Sequence, residues 1–432
     1  MTEHRVRLGV IGHGTVGAAF VRLVKQQSDT IAARSGVRLE VARVAVRNID
    51  AHKGSIAAEV MTTDAEFVVN DPTVDLVVEL MGGVELPRKL ILAALKSGKP
   101  VVTANKALLA HHGAELFAAA DDAGIDLLFE AAVCGGIPLI RPLRESLRGE
   151  PIKRVLGIVN GTTNYILTKM SEEGQSYADA LAGAQSLGYA EADPTADVEG
   201  LDAAAKVSII ASIAFGCNVV ASDVYSEGIS KISAADIAIA KRLGYAVKLL
   251  AIAEYDKLNG EVSVRVHPVM LHKSHPLASV RDAYNAVFVE AESAGSLMFY
   301  GRGAGGAPTA SAILGDVVAV ARHIALNSVG QRETDYADRD IAPIESTKTK
   351  FLIRLEVADK AGVLAAIATT FANHGVSIQT VNQSGRNSDA EVTIVTHLAT
   401  EGELKATVAT LKAMDIVNNI SSVIRVEGAL PA

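Results

Sequence analysis

Between residues 188 and 217 the sequence reads GYAEADPTADVEGLDAAAKVSIIASIAFGC. Its first half crowds five carboxylates together, Glu191, Asp193, Asp197, Glu199 and Asp202, and its second half is an alanine-rich apolar run holding one cation, Lys206. A lysine in such a setting pays heavily for its charge unless a carboxylate answers it, and the same setting suits it to acid–base work. Asp193 before Pro194, or else Asp197, can cap the start of a helix that Gly216 ends. On that helix Glu199, Asp202 and Lys206 stand at i, i+3 and i+7, so the spacing places all three on one face. A charged stripe facing solvent is the plainer alternative. The run is too apolar for a surface helix, which favours a polar pocket for a cationic or zwitterionic substrate.

A second constellation stands near the start. Residues 6–11 read as a buried strand, then come Gly12-His13-Gly14-Thr15-Val16-Gly17 and a helical pattern. GxGxxG between strand and helix is the setting in which that motif has meaning. Gly12 permits the turn, Gly14 lets backbone approach a pyrophosphate, Gly17 allows close helix packing, and the helix N-terminus receives the anion. The next strand, 39–46, ends in Arg47 rather than in the carboxylate that would hold a ribose 2′-hydroxyl, which tilts the cofactor toward NADP(H) over NAD(H). An ordinary solvated arginine would look the same. Thr103-Ala104-Asn105-Lys106 closes another strand, and ligands gather beyond strand ends in open parallel sheets, so Lys106 is expected in the cofactor crevice. A helix-start lysine reaching solvent is the alternative.

The elements that must hold these residues alternate strand and helix through residue 130, as in a Rossmann-type half. Residues 130–138, EAAVCGGIP, form a glycine-rich, proline-stopped turn. It reads most simply as a domain-crossing loop, although its unpaired carbonyls could hold a hard monovalent cation. Residues 155–160, then Gly161-Thr162-Thr163-Asn164, read as strand, turn and helix start, and the hydroxyls and amide of that turn suit a small polar substrate. Strands near 248–254, 262–269 and 286–291 point to an antiparallel or mixed sheet of a second domain. A second glycine-rich loop, 301–306, lacks the Gly-Lys-Ser/Thr of a Walker loop but could close over a phosphate or a nicotinamide. A polar stretch near 335–349 reads as a linker, and residues 350–432 read as βαββαβ, the ferredoxin-like order.

Composition narrows the classes. A chain of 432 residues with a formal charge of −8 and no basic run argues against nucleic acid or an anionic membrane as partner. Cys134 and Cys217 lack metal-ligand spacing and read as buried thiols of a reducing compartment. With no apolar leader-like run before the first strand, a cytoplasmic protein is expected.

The chain resembles the homoserine dehydrogenase family carrying a C-terminal ACT domain. The resemblance rests on the 12–17 motif, 103–106, 160–162 and above all 188–206, and it covers essentially the whole chain. It implies an α/β architecture with a Rossmann-type NAD(P) domain over 1–133, an α+β catalytic and dimerisation domain over 134–335, a linker over 336–349 and an ACT domain over 350–432. A helix around 308–340 is expected to pack back on the first domain. The implied reaction is reversible oxidation of L-homoserine to L-aspartate-4-semialdehyde with NAD or NADP, in the route to threonine and methionine, with threonine as feedback effector. By the same resemblance Lys206 and Lys106 are catalytic, and Glu191, Asp197, Asp202, Thr162, Gly161 and Tyr189 bind substrate. Gly12, Gly14, Thr15, Val16, Gly17, Arg47, Thr103, Lys106 and Gly303 hold the cofactor. Glu130, Val133, Gly135 and Ile137 hold Na+ or K+, and the enzyme is a homodimer or homotetramer. An ACT-bearing dehydrogenase of another small acid would need an arginine and a His–Glu pair near the cofactor, and none is found. A non-catalytic amino-acid sensor would bind without turnover, against the intact lysine and carboxylate set.

Overall fold

The computed structural model describes residues 3–52, 54, 56–332, 336–337, 339–386 and 389–428. The chain falls into two compact units, one of residues 1–155, 202–224 and 284–339, the other of residues 156–201, 225–283 and 340–432.

The first unit is built on six strands: β1 (His4–Ile11), β2 (Val37–Ala45), β3 (Met61–Thr62), β4 (Leu76–Glu79), β5 (Val101–Thr103) and β6 (Leu127–Leu128). Their order is β3-β2-β1-β4-β5-β6, and every pairing is parallel. That is the doubly wound order, and it puts a switch point between β1 and β4. The central strands are buried on both faces, with Leu8, Val10, Leu76 and Val78 fully enclosed, as expected of parallel strands covered by helices. The helices between them are α1 (Thr15–Ser35), α2 (Ala65–Asn70), α3 (Glu85–Lys96) and α4 (Lys106–Ala123). Asn105 caps α4 by accepting from Leu108 N–H at 3.1 Å, which sets Lys106 as its first residue.

Beyond residue 130 the strand β7 (Ile152–Ile158) carries the chain onward. The second unit then opens with α5 (Gly161–Glu172), α6 (Tyr177–Ser186) and the short α7 (Thr195–Val198). Here the structure departs from the single helix expected across residues 193–215. Glu199 is the C-cap of α7, Gly200 follows at φ +82°, and a new helix, α8 (Leu201–Phe215), begins. The expected i, i+3, i+7 face therefore loses Glu199, while Asp202 and Lys206 remain together on α8.

Unit two continues with β8 (Tyr225–Ser226), α9 (Ala234–Arg242), β9 (Tyr245–Asp256) and β10 (Glu261–His272). The antiparallel pair β11 (Tyr284–Ala291) and β12 (Ser296–Arg302) belongs to the first unit, as does α10 (Gly306–Leu326). Strand β12 takes in Gly301 and Arg302, the first two residues of the glycine-rich loop expected over 301–306. α10 is long and apolar enough to cross a membrane, but Ala310, Ile313, Val317, Val320 and Ala321 sit in the core with Phe20 and Val24 of α1.

The C-terminal part is β13 (Lys348–Ala358), α11 (Val363–Asn373), β14 (Ile378–Arg386), β15 (Asp389–Thr396), the short β16 (Ala399–Thr400), α12 (Glu401–Lys412) and β17 (Val417–Glu427). Apart from β16 this is βαββαβ, with sheet order β17-β13-β15-β14 and every pairing antiparallel. Its core gathers Phe351, Ile353, Leu355, Ile367, Phe371 and Leu404. One feature was not legible from the sequence: β17 also pairs, in parallel, with β10 through Val269, Met270 and Leu271, so the C-terminal sheet runs on into β10 and β9.

Candidate active site

The glycine-rich turn after β1 behaves as its spacing implies. Gly12 lies at φ +102°, where a Cβ would stand 2.7 Å from the carbonyl oxygen of Leu80, and a Cβ on Gly17 would stand 2.3 Å from that of Gly12. Only glycine fits either place. At Gly14 nothing lies within 4 Å of where a Cβ would be, so backbone at the start of α1 is open to a ligand. A cavity of about 690 Å³ opens there, lined among others by Gly12, Gly14, Arg47, Asn48, Met81 and Gly83. Its place beyond the strand ends, its glycine floor and the free helix N-terminus fit a dinucleotide.

Arg47 is exposed on that cavity, and among the described residues no carboxylate is paired with it. The sequence reading missed a histidine pair on the same wall: Nδ1 of His13 and Nδ1 of His52 are 3.3 Å apart, with rings edge to face. Burial, and then the neighbouring imidazole, lower the pKa of His13. Thirty-nine residues separate the two, so no local pattern announces them. Thr15 and Val16 open α1, and Thr103 ends β5 with its hydroxyl turned inward to Glu79 at 2.6 Å.

In the same unit the structure brings together both lysines singled out from sequence. On α8, Asp202 Oδ2 accepts from Lys206 Nζ at 2.6 Å, an i, i+4 contact, and its other oxygen accepts from Lys106 at the start of α4. Asp202 and Lys206 are buried, while the Lys106 side chain stays 43 % exposed. Burial alone would raise the Asp202 carboxyl, but the ammonium groups of Lys206 and Lys106 outweigh it and hold that pKa well below the usual carboxylate range. One carboxylate thus anchors two ammonium groups in the unit that also holds the cavity, although none of the three lines it; the arrangement is suited to moving a proton at an oxygen.

Gly303 lies in this unit too. A Cβ on it would stand 2.0 Å from the Asn285 amide, and one on Gly135 would stand 2.5 Å from the carbonyl oxygen of Gly303, so the two glycine turns are stacked backbone on backbone. Cys134 at φ +55° and Gly135 at φ +47° form consecutive left-handed residues. The Glu130 carboxylate is occupied by the N–H groups of Leu139, Ile140 and Arg141 at 2.6–2.8 Å, so only its carbonyl could serve a cation. Val133, Gly135 and Ile137 are buried, and among the described residues no backbone N–H is given to their carbonyls. Buried carbonyls without donors call for a partner, and hard-cation chemistry fits them.

The second unit holds the remaining predicted residues. Asn160 caps α5 through Thr163 N–H at 2.9 Å and donates to Asp197 at 2.7 Å. The Thr162 hydroxyl donates to the Tyr189 carbonyl at 2.6 Å, and the Tyr189 ring lies edge-on to Tyr165. A Cβ on Gly161 would stand 2.8 Å from the Ala283 carbonyl oxygen. Glu191 is exposed, with Gln185 donating to its carbonyl. Asp197 and Tyr189 are therefore each bonded to a residue at the start of α5, Asn160 and Thr162, and Glu191 is in neither bond.

Comparison with known proteins agrees with this geometry. The profile of the homoserine dehydrogenase NAD-binding domain matches residues 12–130, that of homoserine dehydrogenase matches 138–318, and that of the ACT domain matches 351–415. The homoserine dehydrogenase of Corynebacterium glutamicum is 53 % identical over 98 % of this chain and 96 % of its own. That of Mycobacterium tuberculosis H37Rv is 52 % identical over 99 % and 98 %. Among solved structures, a homoserine dehydrogenase from Thiobacillus denitrificans superposes with a TM-score of 0.93 at 40 % identity, covering 98 % of both chains. A hyperthermophilic archaeal homoserine dehydrogenase in complex with NADPH gives 0.64 at 28 %, over 76 % of this chain and all of that one. With its dinucleotide cavity and paired lysines, this chain belongs to the homoserine dehydrogenase family of NAD(P)-dependent oxidoreductases and carries a C-terminal ACT domain.

Proposed function

We propose that the protein interconverts L-homoserine and L-aspartate-4-semialdehyde with a preference for NADP(H), using Lys206 and Lys106 to handle the proton. The observation that carries this reading is the Lys206–Asp202–Lys106 cluster, with Lys206 and Asp202 buried, in the unit that also holds the dinucleotide cavity. Bound nicotinamide supplies or takes a hydride. The chain must then hold or receive a proton at the substrate oxygen and orient the amino acid. Lys206, fixed by Asp202 and buried on an apolar helix, is the acid–base group, and Lys106 adds a second positive charge where an alkoxide would develop. Asp197, Thr162, Gly161, Tyr189 and Glu191 are assigned to substrate binding, and Asp202 both to substrate binding and to holding the lysines.

The preference for NADP(H) rests on Arg47, a cation on the cavity wall where a 2′-phosphate would lie. For Na+ or K+ the supporting feature is the carbonyls of Val133, Gly135 and Ile137, to which no backbone N–H is given among the described residues, joined by that of Glu130. The family reading carries three further proposals: an oligomer built through the middle domain, a place in threonine and methionine synthesis, and threonine as effector at the ACT domain. The deciding experiment is homoserine oxidation by purified protein with NAD+ and with NADP+, each with and without threonine. Turnover with NADP+ favoured and threonine inhibitory is the expected result, and ligand binding without turnover would sink the reading.

A further inference from the structure

Strand β4 ends on a residue that the reaction above does not use. Leu76, Val77 and Val78 are fully buried apolar residues, and the next, Glu79, is just as fully buried. Among the described residues no lysine, arginine or histidine is paired with it, so a salt bridge does not explain a carboxyl group there. Its two oxygens do. Oε1 accepts from Met81 N–H at 2.8 Å, and Oε2 accepts from the Thr103 hydroxyl at 2.6 Å. The Thr103 oxygen in turn accepts from Asn105 N–H at 3.0 Å. Asn105 returns across the gap, donating from Nδ2 to the Gly83 carbonyl at 2.8 Å while its Oδ1 caps α4.

Two turns are thereby tied through one side chain. The first, Met81–Gly82–Gly83, lines the dinucleotide cavity. The second, Thr103–Ala104–Asn105, delivers Lys106 as the first residue of α4. Glu79 does not itself line the cavity, so any effect it has on chemistry passes through these turns. We infer that Glu79 is a positioning residue, which fixes the cofactor-lining turn after β4 and the lysine-bearing turn after β5 relative to one another. This rests on the reading of Lys106 given above.

Burial pushes the Glu79 carboxyl up to about 7, against the hydrogen bonds from Thr103, Met81 and Asn105. The tie survives either protonation state. A protonated Oε2 can donate to the Thr103 oxygen while Oε1 still accepts from Met81. Glutamine keeps one oxygen acceptor and sets N–H donors in place of the second oxygen, so it should rescue the function, whereas leucine offers neither.

The test compares Glu79→Leu, Glu79→Gln and Thr103→Val in the full-length protein by amide hydrogen exchange and steady-state kinetics. In Glu79→Leu the amides of residues 81–83 and 105–108 should exchange about tenfold faster or more. Its kcat should fall about tenfold, with KM for NADP+ changing less than about threefold. Glu79→Gln should stay within about twofold of wild type on both measures, and Thr103→Val should lie between. Should Glu79→Leu fail to fold, the contrast of Thr103→Val with Glu79→Gln carries the same test. Wild-type exchange in both Glu79→Leu and Thr103→Val overturns the inference, as does a Glu79→Gln protein as impaired as Glu79→Leu. Faster exchange with undiminished turnover would leave the tie standing and refute the role given to Lys106.

Discussion

Two regions of the molecule bury charge, and they do so in opposite ways. In the C-terminal part, Arg425 is enclosed by Glu401 on two of its nitrogens, by Glu227 at 2.7 Å and by the Tyr225 hydroxyl, with its guanidinium also over the Tyr225 ring. Burial works against that charge, but Glu401 and Glu227 overcome it and hold the proton more tightly than usual. Arg354 is matched in the same manner by Asp236 and Glu391. These cations are outnumbered by their acceptors, and their ion pairs are closed. Around Asp202 the ratio is inverted, with one carboxylate facing two ammonium groups. A closed set serves to fix β17 and β13 in place, whereas two cations meeting on one acid is the arrangement that the proposed proton chemistry would use.

The comparison breaks most visibly in turnover. Lys206→Met should lower kcat by about a thousandfold, the scale of a lost general acid–base group, with NADP+ binding retained in a fluorescence titration. Arg425→Met should do the reverse. Removing it leaves Glu401 and Glu227 without their partner and should cost about 3 kcal/mol in a denaturant titration, with kcat at 25 °C changed little. Asp202→Asn sharpens the contrast through pH. The Asp202 pKa is lowered on folding from 3.8, so its stabilising share is complete above that value and is lost as pH falls through the lower folded value. The asparagine variant should therefore show a flatter acid limb in stability against pH. The smallest effect is expected at Arg47, where Arg47→Ser should reduce the preference for NADP+ over NAD+ about tenfold, read as a ratio of kcat/KM.

The β10–β17 pairing also changes how the regulatory proposal must be tested. Cutting the chain after Lys348 would remove β17, strip β10 of one of its parallel neighbours and leave Asp236 without Arg354. A truncated protein insensitive to threonine would then report damage as readily as lost regulation. Substitutions on the exposed face of the ACT domain, with threonine inhibition measured in the full chain, avoid that confusion.

Much of this was legible in the sequence, for identifiable reasons. The strand–glycine–helix start, the lysine that follows β5 and opens α4, and the Asp202 to Lys206 spacing are local features, and local patterning fixes them. Glu199 misled because its place on a helical face depended on Gly200 not breaking the helix. Gly200 is at φ +82°, where a Cβ would stand 2.8 Å from Ser226 Oγ, and that neighbour is distant in sequence. Glu79 carried one signal that went unread, a carboxylate closing an otherwise apolar strand. The His13–His52 pair, the Lys106–Asp202 contact and the β10–β17 pairing depend on residues tens to hundreds of positions apart, which single-sequence patterning does not encode.

The central claim is that Lys206, held by Asp202, handles the substrate proton. Its most direct test is single-turnover hydride transfer in Lys206→Met, followed as NADPH absorbance with homoserine and NADP+ both saturating. Transfer slowed about a thousandfold with the cofactor fully bound is the predicted result. A wild-type transfer rate in that variant would contradict it.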